Sequence, residues 1–129
     1  MRLWPSAALF VALVCGATGC AKTASERIIG KWKGAKADGV VADMQAAAND
    51  AAKAMELEFK KDAVTIRSSK DRDPMTARYV VLREDKRSVV LVTEQDGAKD
   101  EQTLTLDDDA TMRWQVMQGK TITFSRVKQ

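Results

Sequence analysis

Residues 55–127 alternate. Apolar side chains stand at every second position over short runs, and each run ends in a short polar turn. Met55, Leu57 and Phe59 alternate with Glu56, Glu58 and Lys60; after a Lys61-Asp62 turn, Val64 and Ile66 alternate with Thr65 and Arg67. A period of two marks strands with one buried face. A polar loop over 68–74 follows, then strands over 76–83, 88–93, 102–106, 111–118 and 121–127. Turns at 84–87, Asp96-Gly97, Asp107-Asp108-Asp109 and Gly119-Lys120 separate them. With a first strand at 28–34 the count is eight. Strands joined by turns this short must pair antiparallel. So long a meander closes on itself, because closure removes its edges. The predicted fold is mainly β: an antiparallel up-and-down eight-stranded barrel.

The first strand, Ile28-Ile29-Gly30-Lys31-Trp32-Lys33-Gly34, places Ile28, Gly30, Trp32 and Gly34 on one face. Asp38 then reads as the N-cap of a helix ending near residue 54. Val40, Met44, Ala47, Ala48, Ala51 and Met55 fall near helical spacing on it. This puts one α-helix between strands 1 and 2. Its alanine-rich stripe lies close to a sheet but buries little area. Tyr79-Val80-Val81-Leu82 and Val89-Val90-Leu91-Val92 are apolar on both faces. Their outer face needs a cover, and the helix is the simplest one. A protein partner or the nearby membrane is the alternative.

The N-terminus reads as an address. Arg2 precedes the apolar run Ala7-Ala8-Leu9-Phe10-Val11-Ala12-Leu13-Val14, and Gly16-Ala17-Thr18-Gly19-Cys20 follows. Eight residues are too few for a permanent spanning helix, which needs about 20, and they match the core of a secretory signal peptide. Ala17-Thr18-Gly19-Cys20 resembles the bacterial lipobox. That resemblance implies a diacylglycerol on the Cys20 thiol, cleavage just before it and acylation of the new N-terminus. Ala21 in place of Asp after the cysteine implies sorting to the outer membrane, on its periplasmic side. The alternative is a secreted protein cut near Gly19 with Cys20 as a free thiol. A lone thiol in an oxidising compartment is a liability, which favours the anchor. The expected organisation is a signal peptide at 1–19, a lipidated tether at 20–27 and a barrel domain at 28–129. The membrane is then a partner through the N-terminal lipid.

Composition excludes several chemistries. The 129 residues include no histidine, so there is no histidine triad, general base or metal ligand. Cleavage before Cys20 would leave a net charge of +2 and no polybasic block, which does not point to nucleic acid. The acidic run at 107–109 lacks the spaced ligands of a calcium loop and reads as a solvated turn. Glu56 and Glu58 share a strand face as many surface pairs do, and nothing marks them as catalytic. No phosphate loop, nucleophile elbow or zinc motif is present. No catalytic residue, metal or cofactor is assigned, and the chain is expected not to be an enzyme.

Gly30-Lys31-Trp32 resembles the Gly-x-Trp motif that opens the first strand of lipocalins and related calycins. In that superfamily an arginine near the end of the last strand packs over the tryptophan, and Arg126 stands at that place. The chain is also similar to small lipocalin-like bacterial lipoproteins, with a Gly-Lys-Trp strand, an Ala/Met-rich helix and a meander after the lipobox. It departs from true lipocalins in its shorter length, its lack of paired cysteines and a helix placed after strand one. The resemblance implies a lipocalin-like barrel and a Trp32–Arg126 closure. It implies no fixed activity.

The expected inner face holds Trp32, Met55, Leu57, Phe59, Val64 and Ile66 on the first strands, and Met112, Trp114, Val116, Ile122 and Phe124 on the last. Of these, Trp32, Met55, Leu57, Phe59, Ile66, Met112, Trp114 and Phe124 are the candidate lining for a small apolar ligand. An eight-stranded barrel is just wide enough to be filled by side chains or to hold one small ligand. Two functions follow. One is a lipid-anchored envelope protein that binds such a ligand. The other is an interaction module with a filled core, acting on an envelope protein as an assembly factor or as an inhibitor of a wall-degrading enzyme.

Overall fold

The structure, a computed structural model, describes residues 22–117 and 119–128. The expected signal peptide at 1–19 and the expected lipidation site Cys20 lie outside the described residues. A helical turn, α1 (Ala24–Arg27), leads into β1 (Gly30–Asp38). A 3-10 turn (Ala42–Met44) and α2 (Gln45–Ala54) follow. The meander is β2 (Glu56–Phe59), β3 (Ala63–Arg67), β4 (Met75–Glu84), β5 (Ser88–Gln95), β6 (Ala98–Asp108), β7 (Thr111–Met117) and β8 (Lys120–Arg126). Each strand pairs antiparallel with the next, and β8 returns to β1. The result is a closed eight-stranded up-and-down barrel with a helix between β1 and β2, as the periodicity predicts.

The core follows the alternation. Trp32, Leu57, Phe59, Val64, Met112 and Phe124 are buried; Met55, Ile66, Trp114 and Ile122 are half-buried against them. Tyr79, Val89, Leu91, Leu104 and Leu106 complete the interior. Burying one large apolar side chain contributes about 1.5–3 kcal/mol, so this layer dominates the stability. Phe59 and Tyr79 meet edge to face with ring centroids 5.9 Å apart.

The structure corrects several expectations. Residues 24–27 are not tether. They form α1, whose Ala24, with the following Ile28, is fully buried over one end of the barrel. Ile28 is therefore a plug below β1 and not its first inward residue.

Asp38 is the last residue of β1, paired with Thr121, and not a helix N-cap. The helix also turns a different face to the sheet. β2 accompanies β1 only as far as Lys33. Beyond that point β1 needs another hydrogen-bonding partner, and α2 supplies it. Asn49 Oδ1 accepts from the Ala37 N–H at 3.0 Å, and Gln45 Nε2 donates to the Ala37 carbonyl at 2.6 Å. The contact face is amide plus Ala52, while Met44 is exposed. Backbone groups left unpaired by a short strand outweigh an alanine stripe. Gly34 makes the approach possible: a Cβ there would lie 1.8 Å from the Ala52 carbonyl oxygen.

Because α2 lies on β1, it does not cover β4 and β5. Val80 stays 65% exposed and Leu82 50%. Finally, β6 begins at Ala98 and not near 102. Asp96 (φ 53°) and Gly97 (φ 86°) form a two-residue turn of left-handed residues that matches strand twist, and Gln95 pairs directly with Ala98. The turn geometry extends the ladder through Ala98-Lys99-Asp100-Glu101, which is too polar to read as a strand.

Candidate functional site: one closed end and one open cup

The two ends of the barrel differ. At the closed end, Arg126 faces Trp32 in the β1–β8 register, and its guanidinium carbon lies 4.2 Å from the ring centroid. Its nitrogens donate to the backbone carbonyls of Asp109 (2.6 Å), Ile29 (3.0 Å) and Arg27. One planar fork therefore ties the end of α1, the junction before β1 and the β6–β7 turn to β8. Burial pulls the Arg126 pKa below its ordinary value, Asp109 opposes this, and Arg27 adds to it. The Trp32 indole N–H donates to the Ile28 carbonyl at 2.9 Å. The expected Trp32–Arg126 closure is thus present in the geometry.

α1 is fixed to the same end. Ala24 N–H donates to the Asp85 carbonyl (3.1 Å) and Ser25 N–H to Glu84 Oε1 (2.8 Å). That bond from Ser25 holds the Glu84 carboxyl below its ordinary pKa. Arg27 bridges Asp109 at 2.8 Å.

The opposite end is open. Among the described residues a cavity of about 240 Å³ runs into the barrel between β2 and β7. Its floor is apolar: Leu57, Phe59, Val64, Leu91 and Leu104. Ile66, Met75, Ala77, Ala98 and Trp114 form its walls. Its rim is polar: Thr93, Gln95, Asp100 and Gln102. Gln102 Oε1 accepts from the Trp114 indole N–H at 2.8 Å, and Gln102 Nε2 reaches Thr93 Oγ1 at 3.5 Å. Thr93 Oγ1 donates to the Asp100 carbonyl at 3.3 Å. Apolar depth with a few oriented polar groups is the usual make-up of a small-molecule site. The volume falls just below the common range of about 300–1,000 Å³ and selects a small occupant.

Of the candidate lining, Leu57, Phe59, Ile66 and Trp114 meet in this cup. Trp32, Met112 and Phe124 do not. They are fully buried in the filled half of the barrel. Met55 sits half-buried where α2 joins β2, outside the cup. The interior is therefore filled at one end and open at the other. Leu91, Thr93, Asp100 and Gln102 were not singled out from the sequence. Their shared inward side follows from the register Thr93↔Asp100 and Leu91↔Gln102, and that register is fixed by the Asp96-Gly97 turn. The turn was legible, so its register consequence was the available signal.

Among the described residues no group of acidic or cysteine side chains is placed to hold a metal, and no helix is long and apolar enough to cross a membrane. Compared with known protein families, with curated proteins and with solved structures, the chain finds no match in any of the three.

Proposed function

We propose that this chain is a lipid-anchored cell-envelope protein, non-enzymatic, that holds a small, mainly apolar ligand in the open end of its barrel. The observation that carries this reading is the cup itself, an apolar floor beneath a polar rim in a barrel sealed at its other end. The attachment of α1 supports the anchored arrangement. Residue 24 is bonded to the β4–β5 turn at the closed end, so a lipid at Cys20 would turn that end to the membrane and the mouth away from it. The cup then opens to the periplasm.

Native mass spectrometry of the chain from residue 21, purified without detergent, tests the ligand. A co-purifying small molecule, lost on denaturation, is the expected result. Ala77→Leu fills the cup from its wall and should abolish that mass while the protein still melts cooperatively. A bare polypeptide that takes up nothing from envelope lipids would overturn the reading.

The uncovered outer face of β4, with Val80 and Leu82, favours a second reading as an interaction module. In that case Leu82→Asp would remove a cross-linked envelope partner and leave ligand uptake unchanged.

A further inference from the structure

We propose that the cup selects amphiphiles with a neutral or cationic head, against anionic ones such as fatty acids. This rests on the reading of the cup as a ligand site and names the ligand class it takes. Among its described lining residues the one ionisable side chain is Asp100. A fatty acid would bring a carboxylate to a rim that offers it no cation.

Two of the rim's uncharged polar side chains are engaged with their neighbours, and the third, Gln95, is a neutral amide. Gln102 Nε2 turns to Thr93, and the Thr93 hydroxyl turns to the Asp100 carbonyl. Gln102 Oε1 already holds the Trp114 indole N–H. Among the described residues no ion pair engages the Asp100 carboxylate. The rim therefore presents neutral polar groups and one negative charge. An ammonium or hydroxyl head donates to them, while its tail lies on Leu57, Phe59 and Leu104. Lys120 stands at the start of β8 on the same end, but it does not line the cup.

The test compares octylamine, octanol and octanoate, which share a tail and differ in head. The protein is the full chain carrying Cys20→Ser, which removes any acyl chain and allows binding to be read without detergent. Binding is followed by calorimetry and by Trp114 fluorescence. Octylamine is expected to bind about fivefold more tightly than octanoate, the size of two opposed half-exposed charge contacts, with octanol between them. Added salt should narrow the gap. Asp100→Asn should erase the gap between octylamine and octanoate. Octanoate equal to or tighter than octylamine would overturn the inference and leave the ligand site standing. A preference for octylamine that survives Asp100→Asn would also overturn it. Binding of none of the three would remove the ligand site and the inference together.

Discussion

Arg126→Met tests whether the closed end is held by the guanidinium fork. The wild-type side chain makes three hydrogen bonds to carbonyls of two segments, residues 27–29 and the β6–β7 turn, and lies over Trp32. A charged donor contributes about 1.5–3 kcal/mol where water is excluded. This end is half-exposed, so about 0.5–1 kcal/mol per bond is the better figure. The contact with the ring adds about 1 kcal/mol. The expected loss is therefore about 2.5–4 kcal/mol, a large share of the about 5–15 kcal/mol typical of a domain. Urea melts read by tryptophan fluorescence measure it, with an unchanged slope showing that the folded state is otherwise intact. Arg126→Lys keeps a cation over the ring but loses the fork, and should recover only about 1 kcal/mol. A loss below about 0.5 kcal/mol for Arg126→Met would refute the fork as the closure. Full stability in Arg126→Lys would show that charge alone suffices.

Four further outcomes are expected. Gly34→Ala should destabilise by about 1–3 kcal/mol, and hydrogen exchange should show α2 lifted from β1, because the new methyl meets the Ala52 carbonyl. Gly97→Ala has open space but a left-handed backbone, so it should cost about 1–2 kcal/mol and leave α2 protected. Tyr79 is the chain's one tyrosine, and burial, then Asp62, raises its phenol above the ordinary value. The folded state thus holds this proton more tightly than the unfolded chain. Its contribution is complete below about pH 10 and is lost as the pH rises through the raised value; phenolate absorbance and melts against Tyr79→Phe check this. Cys20→Ser should release the protein from membranes, whereas a variant that still pellets and resists salt washing would remove the lipid anchor.

Strand identity was legible because alternation and turn chemistry agree along residues 55–127. Two-sided burial was harder to read. Leu104 and Leu106 alternate with Thr103, Thr105 and Asp107, and their pairing with Val89 and Met112 places that apolar side inward. The helix face misled for another reason. Helical spacing counts apolar residues, but α2 is positioned by the Ala37 backbone, which β2 leaves without a partner and which takes Gln45 and Asn49 over Val40 and Met44. The order of α1 was hidden in the same way. Its tie to Asp85 and Glu84 is a contact across the chain, invisible in a seven-residue polar segment.

The cup itself follows from side-chain size, level by level. An eight-stranded barrel leaves room for little more than its own inward side chains, so each level is filled or open according to what those residues are. At the closed end they are Ile28, Trp32, Leu106, Met112 and Phe124, all nearly or fully sealed from solvent. At the mouth β4, β5 and β6 contribute Ala77, Thr93 and Ala98, which are small, and Gln95, Asp100 and Gln102, which reach for water. The change of size and the change of polarity occur at the same level. Small residues alone would leave a dry void that the core could collapse into, and polar residues alone would leave a solvated rim without depth. Together they make a space that is polar at its mouth and apolar at its floor, the division that the proposed amphiphile would match.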